Sequence, residues 1–192
     1  AAHYGWSIEG MKFDWATLRD TVLRDVDRLE QAYTNTLDTN KVEHFHERAI
    51  VTGPHRVKLA SGKEVSAKYI LVATGAWPVL PQFEGVEHCI TSNEVFHLPE
   101  LPKRIVIQGA GYIAMEFAGV FNALGCQVTV VNRSDAILRG YDEQLRDRLL
   151  QITMARGIQY RFNCPLTQVQ KQADGSLMVT AGNQDPVPAG GG

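Results

Sequence analysis

Ile105-Val-Ile-Gln-Gly109-Ala-Gly111-Tyr-Ile-Ala114-Met-Glu116 decides the fold, because it passes from a buried strand through a glycine turn into the start of a helix without interruption. Each small residue has its own physical task in such a turn. Gly109 lets the strand bend sharply, Gly111 leaves the backbone open to a pyrophosphate, and Ala114 lets helix and strand approach closely. The N–H groups and positive dipole end of the helix then face the phosphates. In a chain with 17 glycines this spacing alone is weak, so its neighbours carry the argument.

Downstream, Tyr112 to Leu124 is rich in Ile, Ala, Met, Phe and Leu and stops at Gly125, and Gln127-Val-Thr-Val-Val131 follows as a second apolar strand. This is a complete βαβ unit. The expected class is therefore α/β, a Rossmann-like dinucleotide-binding domain with a parallel sheet. The tip of the second strand selects the cofactor: an acid there binds the ribose 2′-hydroxyl of NAD, whereas basic groups accept the 2′-phosphate of NADP. Here the tip reads Val131-Asn132-Arg133-Ser134, with Arg139 following, and no acid stands where NAD would need one. Arg133 and Arg139 can clamp a phosphate dianion by charge-assisted bonds, with Ser134 adding a hydroxyl, which favours NADPH. Tyr112 can cover a nicotinamide ring or pack on its own first turn. Glu116 also suits the helix start as an acid favoured by the dipole.

Working outward, Asp142 caps a helix from Glu143 to Ala155 that Gly157 stops, and Ile158 to Phe162 is a third strand. Thr167–Lys171 and Leu177–Ala181 flank Asp174-Gly175 as a hairpin appended to the sheet. The low-complexity tail, residues 186–192, reads as disordered. On the other side, Tyr69-Ile-Leu-Val-Ala73 is a continuous apolar strand of the kind covered on both faces, ending at Thr74-Gly75, where ligands of such sheets bind. Residues 42–67 read as an antiparallel meander, with Val42, His44 and His46 alternating with charges. Asp14 caps a helix whose apolar positions Trp15, Leu18, Val22, Val26, Leu29 and Tyr33 form one packed face. Prolines punctuate residues 77–102, a connector with a helical turn opening at Ser92. The expected division is 1–98, 99–185 and the tail.

Composition narrows the function. A net charge of −2 with both signs interspersed gives no basic field for nucleic acid, and the apolar runs are too short to span a bilayer. Cys89, Cys126 and Cys164 lie far apart, which argues against a disulfide framework or zinc site and for a reducing compartment. His44 and His46 have no third ligand near in sequence, so no metal site is expected. Ala1 in place of Met, together with the tail, suggests a piece of a longer chain.

With these stretches in hand, the chain resembles the glutathione reductase branch of the flavin-dependent pyridine nucleotide-disulfide oxidoreductases, which also contains trypanothione reductase. The likeness runs from Tyr4 to about Met178. Its most specific pieces are Tyr69-Ile-Leu-Val-Ala-Thr-Gly-Ala-Trp-Pro78, Gly85-Val-Glu-His-Cys-Ile-Thr-Ser-Asn-Glu94, Gly109-Ala-Gly-Tyr-Ile-Ala-Met-Glu-Phe-Ala-Gly119 and Leu138-Arg-Gly-Tyr-Asp142. The resemblance implies an enzyme in which NADPH reduces FAD, the flavin reduces a protein disulfide, and that dithiol reduces glutathione disulfide. It implies that residues 1–98 are the C-terminal part of an FAD-binding domain, with Thr74 and Gly75 beside FAD and Ala49 contacting its adenine end. Gly109, Gly111 and Ala114 then match the NADPH pyrophosphate turn, and Tyr112 matches the ring gating the nicotinamide pocket. Glu116 matches the acid near the flavin's reactive edge, Arg133 and Arg139 the basic pair on the 2′-phosphate, and Tyr33 a tyrosine at the glutathione site.

The family's opening FAD glycine fingerprint, its Cys-x4-Cys pair and its dimerisation domain with catalytic His and Glu have no match here. The resemblance thus implies a central fragment without catalytic residues, cut from a cytoplasmic, homodimeric parent. The alternatives are a dihydrolipoamide dehydrogenase-like or mercuric-type reductase, an FAD-linked electron-transfer reductase without a redox disulfide, and a catalytically silent nucleotide-binding module.

Overall fold

The computed structural model describes residue 10 and residues 12–190. These form two packing units. Asp20–Trp77 is one; the other joins the segment up to Arg19 with everything from Pro78 onward. The connector from Pro78 falls in the unit of the later strands, against which it lies.

The second unit is built on a parallel sheet. β4 (Arg104–Gln108), β5 (Gln127–Val131) and β6 (Gln159–Arg161) lie side by side in that order, with Ile105 opposite Val128 and Val130 opposite Tyr160. Helix α3 (Tyr112–Ala123) connects the first pair and α4 (Glu143–Ala155) the second. Asp142 Oδ1 accepts from Leu145 N at 3.1 Å and caps α4, while Gly125 and Gly157, both at positive φ, end the two helices. Met115, Ala118 and Phe121, three residues apart, put one stripe of α3 onto Val128, Val130, Ile137 and Ile158. Ala110 and Ala118 are the small residues fully buried there, whereas Ala114 is only half-buried.

The opposite face of the parallel sheet is covered by a second sheet. β7 (Leu166–Lys171), β8 (Leu177–Ala181) and β9 (Val187–Ala189) are antiparallel, and Val106, Val131 and Cys164 join Ala181, Val169, Val179 and Ala189 in the core between. Two expectations are corrected here. The hairpin forms its own sheet rather than extending the parallel one. The segment Val187–Ala189, expected to be disordered, is an edge strand: Val187 and Ala189 turn inward with Pro188 outward, and Gly190 N donates to Arg104 O at 2.9 Å. Alternation, not overall composition, governed those residues, and proline is tolerated because the strand lies at an edge.

The connector packs on β7. Val169 N donates to Glu84 O at 2.9 Å, and Gly85, at φ 82°, lies so close that a Cβ there would stand 1.7 Å from Val169 O. α2 (Ser92–Val95) opens with a capping box in which Thr91 Oγ1 accepts from Asn93 N and Glu94 bonds back to Thr91. These bonds from Thr91 hold the Glu94 carboxyl below its ordinary range.

In the first unit β1 (Ala49–Gly53), β2 (Arg56–Leu59) and β3 (Glu64–Ser66) form the expected meander. Residues 42–46 are not part of it, since left-handed Lys41 turns the chain there. Helix α1 (Trp15–Thr39), whose first turn belongs to the other unit, starts as predicted, Thr17 N donating to Asp14 Oδ1 at 2.7 Å, but along its apolar face only Trp15 and Val22 are half-buried. Trp15 stacks 6.2 Å from Phe121 and donates to Leu98 O, both of its own unit, while Leu18, Val26, Leu29 and Tyr33 are exposed. Tyr69–Ala73 is likewise corrected: it forms no strand, and Leu71 is 89% exposed. An extended apolar run becomes a strand only by bonding to a neighbour, and among the described residues none pairs with it.

Candidate functional site

The carboxyl ends of β4 and β5 meet where Gly109 N donates to Val131 O at 2.8 Å. Gly109 has φ 97°, a left-handed conformation in which glycine alone is unstrained. Gly111 caps α3 with φ −76°, so its identity is not required by backbone strain. Nothing lies within 4 Å of where its Cβ would stand. That open space sits over the first turn of α3, whose N–H groups receive no side-chain bond from the cap. The turn therefore fits a pyrophosphate in both shape and field.

The loop after β5 is built against this turn. Asn132, buried, donates through Nδ2 to Ser134 Oγ at 2.9 Å and Ala136 O at 2.9 Å, and its backbone N donates to Arg161 O. Leu138 N donates to Ala110 O at 2.8 Å, with Leu138 itself at φ 48°. The result is a groove of about 310 Å³ that brings Gly111, Tyr112, Arg133, Ser134 and Arg139 onto one rim. Arg133 and Arg139 are exposed. Asn132 shapes the loop rather than presenting its amide nitrogen, and Ser134 Oγ, accepting from that amide, keeps its own proton to donate.

A second groove of about 430 Å³ adjoins it, lined by Tyr112, Met115, Glu116, Leu138, Tyr141 and Leu149. Tyr112, Leu138 and Tyr141 are shared by both. Its floor is braced from below: Tyr160 Oη approaches Met115 Sδ at 3.9 Å and Thr153 Oγ1 at 2.8 Å. Burial pushes the Tyr160 phenol up, so it stays protonated and able to donate. The paired grooves offer an anion-binding end beside the two arginines and a more apolar end beside Glu116.

Leu138 and Tyr141 were not singled out individually from the sequence. The signal was the Leu138-Arg-Gly-Tyr-Asp142 stretch itself, whose Gly140 at φ 93° turns the chain so that Tyr141 faces the grooves. Ala49, Thr74, Gly75 and Tyr33 belong to the Asp20–Trp77 unit and are exposed there. Gly75, at φ 72°, has open space at its Cβ position, so its backbone is free to meet a ligand. Among the described residues no group of three or more His, Cys, Asp or Glu side chains is placed to hold a metal ion, and no helix is long and apolar enough to cross a membrane.

A family model described as pyridine nucleotide-disulphide oxidoreductase matches residues 3–190. A glutathione reductase of Burkholderia cepacia is 40% identical over 190 residues, 98% of this chain and 42% of its own length. A glutathione reductase of Nostoc is 36% identical over 98% of this chain and 41% of its own, and a trypanothione reductase of Trypanosoma congolense 34% identical over 94% and 39%. The chain thus spans about two fifths of the length of these relatives. Among solved structures, the HOCl-induced flavoprotein disulfide reductase RclA of Escherichia coli superposes with a TM-score of 0.78 at 21% identity, over 92% of this chain and 41% of that one. A Cu(II) complex of the same protein gives 0.80 at 22%. At such identities the likeness concerns the fold.

Proposed function

The chain belongs to the pyridine nucleotide-disulphide oxidoreductases, and from that premise we propose that it is the central part of an NADPH-dependent flavoprotein disulfide reductase acting on glutathione disulfide. The observation that carries this reading is the single rim shared by the open Gly111 turn, Ser134, Arg133 and Arg139. A dinucleotide laid across it places its pyrophosphate on the N-terminus of α3 and its 2′-phosphate between two guanidinium groups. Tyr112 and Glu116 then line the adjoining groove where the nicotinamide end arrives. When bound, NADPH supplies a hydride that FAD receives on the way to a protein disulfide. Tyr112 covers the ring and excludes water, and Glu116 holds a carboxylate near the reacting edge.

On the same reading residues 1–98 end an FAD-binding domain and 99–185 form the NADPH domain. Ala49, Thr74 and Gly75 face FAD, and Tyr33 borders the disulfide substrate. The parent is a cytoplasmic homodimer. The reading takes glutathione disulfide as the substrate, supported by the two glutathione reductases at 36–40% identity, with the trypanothione reductase at 34% marking the alternative.

The test is amide-resolved NMR. NADPH is expected to shift Gly111, Tyr112, Arg133 and Ser134, whereas NADH at the same concentration leaves Arg133 and Ser134 unmoved. Shifts confined to other residues would overturn the assignment of this groove.

A further inference from the structure

His44 and His46 lie outside every residue assigned above, within the Asp20–Trp77 unit. His44 Nδ1 stands 3.1 Å from His46 Nε2, and His44 Nε2 stands 3.0 Å from Asp38 Oδ1. A carboxylate can only accept, so His44 carries a proton on Nε2, and its Nδ1 lone pair accepts from His46 Nε2–H. Metal-binding histidines are held in this way: one ring nitrogen ligates while the other donates to a carboxylate that fixes the tautomer and raises basicity.

The spacing is also that of two ligands on one ion. With metal–nitrogen bonds of about 2.0–2.1 Å, nitrogens 3.1 Å apart subtend about 95–102° at the metal. That falls between the right angle of a square-planar ion and the tetrahedral angle. The rings are inclined at 88° with centroids 5.0 Å apart. Rings collinear about a 3.1 Å contact would have more distant centroids, so the axes bend off the N···N line, where a cation meets both nitrogens once His46 shifts its proton to Nδ1 and the hydrogen bond between the rings gives way.

The local chain explains the arrangement. Lys41 N donates to Asp38 O at 3.0 Å and Val42 N to Leu37 O at 3.0 Å, and left-handed Lys41 at φ 56° folds the segment back over the end of α1. Asp38 is thereby brought against His44. The flanking acids are engaged elsewhere, Glu43 with Lys63 at 3.2 Å and Glu47 with Ser61 N at 2.6 Å. No third protein ligand stands in place among the described residues, which leaves the remaining positions of a bound ion to solvent. The His44 side chain is 30% exposed, so an ion reaches it from solvent.

We propose that His44 Nδ1 and His46 Nε2 form a two-histidine site for a borderline divalent transition-metal ion, oriented by Asp38. Imidazole ligands suit Cu(II) and Zn(II), with Cu(II) bound more tightly. On ligation His46 holds its proton on Nδ1.

The experiment is titration of the 192-residue chain with each ion. Sub-stoichiometric Cu(II) should broaden the ring proton signals of His44 and His46 before those of any other histidine, and Zn(II) calorimetry should give one equivalent. His44→Asn and His46→Asn should each weaken Zn(II) at least tenfold, and Asp38→Asn by about tenfold to a hundredfold. His55→Asn should change nothing. Circular dichroism matching the parent confirms that each variant is folded. Broadening that begins at another histidine, affinity unchanged in both histidine variants, or no ring response to millimolar ion would overturn the site.

Discussion

Two apolar stretches of five residues behave oppositely. Gln127-Val-Thr-Val-Val131 is β5, flanked by β4 and β6, with Val128, Val130 and Val131 no more than 1% exposed. Tyr69-Ile-Leu-Val-Ala73 is as apolar, yet Tyr69 is 80% exposed and no strand pairs with it among the described residues. A run of β-branched and aromatic residues states what a segment needs, namely a ladder on its edges and cover on its faces. Whether the need is met depends on neighbours that the run does not encode. β5 receives its neighbours from the helices on either side of it in sequence, so its fate was local.

That contrast can be broken by comparing substitutions on one readout, hydrogen exchange at the β5 amides. Phe121→Ala removes a ring 1% exposed from the face of α3 that covers β5, and should destabilise the unit by about 3–5 kcal/mol. Protection retained at the parent level would mean that α3 does not hold the sheet. Gly85→Ala should have a somewhat smaller effect, about 2–4 kcal/mol, combining left-handed strain with a methyl forced toward Val169 O. An unaltered exchange profile would show that the connector is not packed on β7. Leu71→Ala should stay within about 0.5 kcal/mol, since an exposed side chain has little burial to lose. A loss near that of Phe121→Ala would mean the stretch is buried after all.

The legible part of the fold was the part set by short-range pattern. Gly109, Gly111, Gly125, Asp142 and Gly157 each act within one turn of their position, and the βαβ unit and both helix ends came out where those residues put them. The rest depends on partners far away in sequence. Val187 and Ala189 find β8 and Gly190 finds β4, which no local composition reveals, and the α1 stripe from Val26 to Tyr33 has spacing but is exposed among the described residues. The site divides along the same line. Arg133, Ser134 and Arg139 were visible from their place after β5, whereas Tyr141 reaches the grooves through the bends at Leu138 and Gly140. Asn132, at the same strand tip, has a buried amide that donates to the loop it organises.

On the proposed function the two loop arginines make this turn an NADPH site. Calorimetry of the parent chain and of the Arg133→Ala/Arg139→Ala variant with NADPH and NADH, at one salt concentration, tests it most directly. The parent should prefer NADPH, and the variant should lose about 1.5–3 kcal/mol of NADPH binding per charged bond removed while its NADH affinity barely changes. Equal affinity of the parent for both cofactors, or equal losses in the variant, would contradict the account.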